Sequence, residues 1–153
     1  MRACWRLARV ITHMLHGFVV QRRFARMDAA QREARIGRWA TGLLRALDIV
    51  IEEAGRAPPP GPRLLVANHV SWLDVAALHA SCPRARFVAK REVHGWPLVG
   101  RMAADAGTLF IERARRRDAL RIVHQLAEVL HEGGTVAVFP EGTTSDGRAV
   151  LPF

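Results

Sequence analysis

The chain has 153 residues, half of them hydrophobic, and a net charge of +9 at pH 7; this composition fits one folded domain and excludes a disordered chain. Two cysteines, Cys4 and Cys82, are too few for a disulfide framework, and no secretory signal opens the sequence, so we expect a reducing compartment. Residues 1–50 carry +7 of the charge, which indicates an anionic partner, either a membrane surface or nucleic acid.

The first predicted element is an amphipathic helix that begins near the N-terminus. On a helical wheel its basic and apolar residues fall on opposite faces. The basic face holds Arg2, Arg6, Arg9, His13 and His16, and the apolar face holds Leu7, Val10, Ile11, Met14, Leu15 and Phe18. The charge-free run at residues 10–21 is shorter than the ~20 apolar residues that cross a bilayer, so we expect the helix to lie in the membrane interface.

A second amphipathic helix is predicted at residues 29–47. Its apolar side holds Ile36, Trp39, Ala40, Leu43 and Leu47, and the opposite side holds Arg38 and Arg45. The two helices predict either a platform that rests on a membrane or a pair that packs on the protein core with its arginines in water. Nucleic-acid binding is less favoured, because no helix-turn-helix, zinc-finger or RNA-binding sheet signature accompanies the charge.

The remaining residues alternate between predicted strands and helices. A strand at 47–52 precedes the turn-rich segment 54–62, so we divide the chain into membrane-interface helices at 1–50 and a second domain at 51–153. Strands follow at 63–67, 86–89, 108–111 and 135–139, and helices at 72–80, 96–104 and 114–131. This alternation predicts an α/β fold with a mostly parallel sheet flanked by helices, preceded by the two amphipathic N-terminal helices.

Three loops follow strands of this sheet at their carboxyl ends, where ligands bind in folds of this kind. They are NHVSWLD at 68–74, ERARRR at 112–117 and PEGTTSDG at 140–147. Since the carboxyl ends of parallel strands share one edge of a sheet, we expect the loops to converge.

His69 and Asp74 in the first loop have two interpretations. Residues five apart on one helix point about 140° away from each other, so His69 has to precede the helix if the two side chains are to meet. Asp74 then either fixes the tautomer of His69 and leaves its other ring nitrogen free as a base, or completes a capping box with Ser71 as N-cap. A nucleophilic Ser71 is not supported, because no Gly-x-Ser-x-Gly elbow is present, and a metal site would need a third ligand such as His94.

The other two loops offer groups that suit a polar headgroup. Arg113 ends a predicted strand, where its guanidinium is placed to hold a phosphate bidentately. In the last loop Gly142 allows close backbone approach and Thr143, Thr144 and Ser145 supply hydroxyl donors, although the segment also fits a plain turn.

Three blocks of the sequence, NHVSWLD, GTLFIER and FPEGTTS, closely resemble in order and spacing those of the glycerolipid acyltransferase family typified by lysophosphatidic acid acyltransferase. That family has an H-x-x-x-x-D block, a G-x-x-F-I-x-R block and an F-P-E-G-T block. One block alone would be weak, but three in order, covering residues 64–153, favour His69 and Asp74 as a catalytic pair over a helix cap alone.

The resemblance implies transfer of a fatty acyl group from acyl-CoA or acyl-carrier protein to a hydroxyl of a lysolipid such as 1-acylglycerol-3-phosphate, in phospholipid or aminolipid biosynthesis. It implies that His69 is the general base and that Asp74 orients it. The residues implied to bind the acceptor are Arg113, Glu141, Gly142 and Thr143. Because a carboxylate repels phosphate, we expect Glu141 to bind an acceptor hydroxyl or to brace Arg113.

The same resemblance implies a set of partners and a location. The acyl donor is a co-substrate, and no metal, other cofactor or nucleic acid is needed. We expect a peripheral or monotopic protein on the cytoplasmic face of a membrane.

The sequence departs from the family pattern at two places. Thr144 stands where members often carry arginine, which suggests an acceptor less dependent on phosphate, such as a lyso-aminolipid of the ornithine-lipid type. The chain stops at VLPF, where relatives continue into a fourth, proline-containing block, so we expect it to be incomplete at its C-terminus. The alternative to an active enzyme is therefore a catalytically inactive membrane-binding fragment.

Overall fold

The computed structural model describes residues 2–56, 59–112 and 116–152, which form two compact units. The first unit consists of Met1–Ala57 and Trp72–Pro83, and the second of Pro58–Ser71 and Arg84–Phe153. The first unit therefore extends beyond the predicted helical segment 1–50 and includes a helix from the middle of the chain.

The described part of the first unit contains the helices α1 (Arg2–Gln21), α2 (Ala29–Ala46) and α3 (Leu73–Ser81). A short 3-10 helix at Phe24–Arg26 lies between α1 and α2. A capping box begins α2: the Asp28 carboxylate accepts from the Gln31 N–H at 2.8 Å, and the Gln31 side chain accepts from the Asp28 N–H at 3.3 Å. This reciprocal pair satisfies two backbone donors at the start of the helix.

The core of the first unit lies where its helices meet. Leu43 and Leu44 of α2 are buried with Ala76 of α3, and Val10 and Met14 of α1 pack on this cluster. Burial of apolar side chains is the main favourable contribution to folding, so the cluster is what holds these helices together.

Part of the predicted basic face of α1 turns toward the chain instead of toward water. Arg6 and Arg9 bind the Asp48 carboxylate at 2.7 and 3.2 Å. Hydrogen bonds from Arg6 and then Arg9 hold the pKa of the Asp48 carboxyl below its usual value. A ring nitrogen of His13 lies 2.8 Å from the Trp39 backbone oxygen. The side of α1 that meets α2 therefore makes both polar and apolar contacts.

His79 on α3 is a buried titratable residue of the first unit. Its side chain is only 6% exposed. Removal from water lowers the pKa of His79 to about 4, and a hydrogen bond to the Pro83 backbone offsets part of that effect. The ring is therefore neutral at physiological pH.

The second unit contains a parallel β-sheet. Its strands are β1 (Arg63–Val66), β2 (Ala85–Lys90), β3 (Leu109–Ile111) and β4 (Thr135–Val138). Their spatial order is β1-β4-β2-β3, and each neighbouring pair is parallel. The predicted mostly parallel α/β sheet is confirmed.

Helices α4 (Arg91–His94), α5 (Val99–Asp105) and α6 (Arg116–His131) belong to the same unit. α6 packs on β3 and β4, and its Ile122 and Val129 side chains are buried. In β4, Thr135, Val136 and Ala137 are fully buried one after another, as expected for a strand inside a parallel sheet that is covered on both faces. The sequence predicts α5 and α6 but not the short α4.

The predicted strand at 47–52 is wrong. The chain leaves α2 through Asp48, whose φ is +59°, and residues 47–52 form no strand in the structure. Ile49 packs on the core of the first unit, whereas Val50 is 84% exposed. The alternation that resembles a strand therefore comes from an irregular segment with one side against the helical core.

Candidate active site

His69 lies in the loop after β1 and before α3, as the sequence predicts. Strands β1 and β4 end together, since Val66 is paired with Val138. The loops that follow these strands therefore leave the same edge of the sheet. Hydrogen bonds confirm the predicted convergence for these two loops, whereas residues 113–115 of the third loop lie outside the described residues.

The main chain of His69 is held on both sides by the PEGTTSDG loop. Its N–H donates to Oε2 of Glu141 at 2.9 Å, and its carbonyl oxygen accepts from the Ser145 N–H at 2.8 Å. Glu141 lies 72 positions further along the sequence, so these bonds set the position of His69 relative to the end of β4. A functional side chain needs this kind of support from a second layer of residues.

The ring of His69 is held by an aromatic stack. Its centroid lies 4.1 Å from that of Phe139, with 15° between the two planes. The Phe139 ring lies 5.9 Å from the ring of Phe87, and Phe87 is 3% exposed. A buried sheet residue thus supports Phe139, and Phe139 covers one face of the imidazole and restricts its rotation.

Glu141 bridges two backbone N–H groups. Oε2 accepts from His69, and Oε1 accepts from the Leu151 N–H at 3.0 Å. The sequence predicts that this carboxylate binds an acceptor hydroxyl or braces Arg113, but in the structure each of its oxygens accepts a main-chain hydrogen bond. Contact of Glu141 with an acceptor stays a prediction, and Arg113 lies outside the described residues.

Gly142 closes a tight turn at the start of the same loop. Its N–H donates to the Phe139 carbonyl at 3.0 Å, and its φ of +67° lies in the left-handed region that glycine tolerates best. Pro140 follows Phe139 in this turn, where its fixed φ is suited. Thr143 is exposed and Gly142 is half-buried, and their binding of a headgroup stays a prediction.

Asp74 lies in the first turn of α3, as predicted, and is half-buried. The helix begins at Leu73, and its N-cap is Trp72, which makes no side-chain capping hydrogen bond. The capping role predicted for Ser71 and Asp74 stays a prediction. Asp74 belongs to the first unit and His69 to the second, and their pairing stays a prediction from the motif.

Phe139 contacts His69 but is absent from the predicted site. Ser145 is predicted as a hydroxyl donor to a headgroup, and the sequence does not predict its contact with His69. An aromatic residue directly before Pro140, at the end of a predicted strand, is a weak signal for the stack. Ser145 contacts His69 through its backbone N–H, a group that every residue except proline carries. No pattern of side chains in the sequence therefore predicts that contact.

A second candidate surface lies on α1. Its residues are spaced four apart and are at least half exposed; we call Leu7, Ile11, Leu15 and Val19 the α1 stripe. The structure divides the predicted apolar face, because Val10 and Met14 pack on the core while the stripe stays exposed. Residues four apart share a helix face, so the stripe is a continuous apolar surface about 18 Å long. Exposed apolar patches of this kind mark interaction surfaces.

Within residues 2–56, 59–112 and 116–152, no helix is both long and apolar enough to cross a bilayer.

Known proteins match this chain in sequence. The family model for acyltransferases matches residues 48–153. The 1-acyl-sn-glycerol-3-phosphate acyltransferase of Neisseria meningitidis is 47% identical over 114 residues, which are 73% of this chain and 44% of the relative. The lyso-ornithine lipid O-acyltransferase of Pseudomonas aeruginosa is 43% identical over 127 residues, 82% of this chain and 48% of the relative. The chain thus spans about half the length of these curated relatives.

A solved structure matches as well. The 1-acyl-sn-glycerophosphate acyltransferase PlsC of Thermotoga maritima superposes with a TM-score of 0.70 at 26% identity. The match covers 100% of this chain and 67% of that chain. The shared architecture supports the α/β fold class that the sequence predicts.

Proposed function

The chain belongs to the acyltransferase family, and we propose that it transfers a fatty acyl group from acyl-CoA or acyl-carrier protein to a hydroxyl of a lysolipid. The observation that carries this proposal is the position of His69. It sits at the carboxyl edge of a parallel sheet, where ligands bind in such folds. Its main chain and its ring are both held by the FPEGTTS segment.

In the proposed reaction His69 is a general base. One ring nitrogen takes the proton of the acceptor hydroxyl as that oxygen attacks the thioester carbonyl carbon. An O–C bond forms, the C–S bond breaks, and the imidazolium returns the proton to the departing thiolate. The products are the acylated lipid and the free thiol of the donor. General-base assistance of this kind contributes about 10²- to 10⁴-fold in rate.

Asp74 is the proposed partner of His69 and orients its ring and stabilises the imidazolium. This pairing rests on the H-x-x-x-x-D motif, since the two residues lie in different compact units. For the acceptor headgroup we propose Arg113, Gly142 and Thr143. Their roles rest on the resemblance of their sequence blocks to those of the family.

Two lysolipids are candidates for the acceptor. The named relatives act on 1-acyl-sn-glycerol-3-phosphate and on lyso-ornithine lipid. Thr144, which is exposed, takes the place of an arginine common in the family and so removes a group that would pair with phosphate. This replacement favours the lyso-aminolipid, and an assay with both acceptors decides between them.

The test is a panel of lysolipid acceptors with acyl-CoA and acyl-carrier protein donors, read by mass spectrometry. We expect His69→Ala to lower product formation by about 10² or more, while the matched control His131→Ala, at the exposed end of α6, keeps the wild-type rate. If no donor and acceptor pair gives His69-dependent product, the catalytically inactive membrane-binding fragment is the better description.

We further propose that the α1 stripe docks on the cytoplasmic face of a membrane, as a peripheral or monotopic contact. The stripe is apolar and exposed. Arg22, Arg23 and Arg26, which follow shortly after it, are exposed as well. An apolar helix face with neighbouring arginines fits an anionic lipid surface, to which each basic residue contributes about 1 kcal/mol.

Vesicle flotation tests the membrane contact. We expect the chain to float with phosphatidylglycerol-containing vesicles, and Ile11→Asp to reduce the bound fraction severalfold. Val50→Asp is the matched control, because Val50 is equally apolar and 84% exposed but lies outside the stripe. A chain that binds DNA in a parallel retention assay and does not float would instead support a nucleic-acid-binding module.

A further inference from the structure

Glu141 is placed where it can act on His69 without touching a substrate. Its Oε2 accepts from the His69 N–H at 2.9 Å and its Oε1 from the Leu151 N–H at 3.0 Å. In the sequence, His69 comes before the loop that carries Glu141, and Leu151 comes after it. One half-buried side chain therefore joins three segments of the second unit.

We propose that Glu141 is a positioning residue for His69, and not a ligand of the acceptor. The proposal rests on the proposed function, since it assigns Glu141 a part in placing the general base. The carboxylate fixes the peptide N–H of His69, while Ser145 fixes the carbonyl and Phe139 the ring. Together these contacts hold the base in one orientation above the end of β4.

The chemistry of the contact explains why a carboxylate suits this position. An ionised carboxylate only accepts hydrogen bonds, and it has two oxygens for two N–H donors. Hydrogen bonds from neutral donors to an ionised acceptor are roughly twice as strong as neutral ones. Glutamine presents one oxygen and one NH₂ group, so it can satisfy one N–H and must turn a donor toward the other.

The role as an acceptor ligand makes a different prediction. A residue that only binds the acceptor raises the KM for that acceptor when it is changed, with kcat preserved. When a residue that only positions the base is changed, kcat falls and the KM for the acceptor stays the same. The split between the two constants therefore separates the alternatives.

The kinetic experiment compares Glu141→Gln with Asp146→Asn, a carboxylate-to-amide change in the same loop. Asp146 is exposed, and the hydrogen bond it accepts from the Arg148 N–H is local. We expect Glu141→Gln to lower kcat on the order of 10- to 100-fold, because a misplacement near 1 Å costs that much. We expect its acceptor KM to stay within about twofold, and Asp146→Asn to match the wild type in both.

A spectroscopic experiment reads the position of His69 directly. Stacking on Phe139 at 4.1 Å should shift the ring protons of His69 upfield, and the bond to Glu141 should slow hydrogen exchange of the His69 amide. Glu141→Gln should reduce both effects. His94 is the internal control, because its ring meets Phe110 edge-on at 4.9 Å and its signals should not change.

The two experiments distinguish a failure of the positioning role of Glu141 from a failure of the proposed acyltransferase function. A wild-type chain without turnover defeats the proposed function alone, and the spectra still decide whether Glu141 orients His69. A raised acceptor KM at unchanged kcat overturns the proposal, as do His69 signals that Glu141→Gln leaves unaltered. A Glu141→Gln chain that unfolds also overturns it, because Glu141 would then be required by the whole fold.

Discussion

In the first unit, Leu43 and Leu44 are buried with Ala76 while further apolar side chains pack around them. In the second unit, His69 is held by hydrogen bonds with Glu141 and Ser145 and by a ring contact with Phe139. The helical core spreads its stabilisation over many weak contacts. The position of His69 depends instead on a few directional contacts.

This difference separates the effects of substitutions. A change in the helical core should appear in the free energy of unfolding, since apolar burial is its main contribution. A change around His69 should appear in the rate, since orientation matters more to catalysis than to folding. The first unit also carries the buried and bridged ionisable groups His79 and Asp48, so we expect its stability to depend on pH.

The largest expected effect is that of Leu43→Ala. Leu43 is fully buried, and removing a buried leucine side chain costs about 2–5 kcal/mol through lost burial and the cavity left behind. Denaturant titration measures the change. Val50→Ala, at an 84% exposed position, should cost less than about 0.5 kcal/mol. Equal losses for the two variants would contradict a stability centred on this cluster.

The next effect is the pH dependence that His79 confers. The pKa of His79 is about 4 in the fold, against an ordinary value of 6.5, so the unfolded chain binds a proton between these values and the folded chain does not. Stability is therefore full above pH 6.5 and falls as pH drops toward 4, by up to about 3 kcal/mol. The free energy of unfolding, measured at several pH values, should show this slope in the wild type. The control His131→Leu should show it too, because His131 is exposed. His79→Leu should flatten it, and a slope that persists in that variant would assign the effect to other groups.

A smaller effect, in the rate, is expected for Phe139→Leu. Leucine keeps an apolar contact but removes the flat surface on which His69 stacks, so we expect kcat to fall about tenfold, or 1.4 kcal/mol. Phe110→Leu is the matched control, because the Phe110 ring meets His94 and not His69. Steady-state kinetics measures both. Equal losses of rate would mean that the stack has no specific part in placing the base.

The smallest effect is expected for Asp48→Asn. Its partners Arg6 and Arg9 are partly exposed, and exposed ion pairs contribute little to stability because water and salt screen them. Asparagine also tolerates the φ of +59° at this position. The loss on thermal unfolding should shrink at high salt, whereas Asp48→Ala should lose more because alanine is strained at positive φ. A larger loss for asparagine than for alanine would contradict this account.

Local patterns predict most of the elements correctly. The apolar strand β4 and the amphipathic α2 are visible in the sequence because their periods depend only on neighbouring residues. The strand predicted at 47–52 is wrong for the same reason, since the alternation of Ile49 and Val50 records one-sided burial and not pairing with another strand. Periodicity reports burial, and only hydrogen-bonded neighbours make a strand.

The candidate site divides in a similar way. That His69 precedes α3 follows from helix geometry, and the three sequence blocks identify the family. The partners of Glu141 do not follow, because the backbone N–H groups of His69 and Leu151 look the same in any sequence. Arg113 lies outside the described residues, and its role stays a prediction.

Residue spacing along the chain is enough to predict the longer helices, the parallel sheet and the family of this protein, because these features depend on local patterns. The exposed face of α1 and the contact of Glu141 with the main chain of His69 are visible only in the folded structure. Those outcomes depend on contacts between residues far apart in sequence, and such contacts form only when the strands β1 and β4 and the helices α1 and α2 are brought side by side.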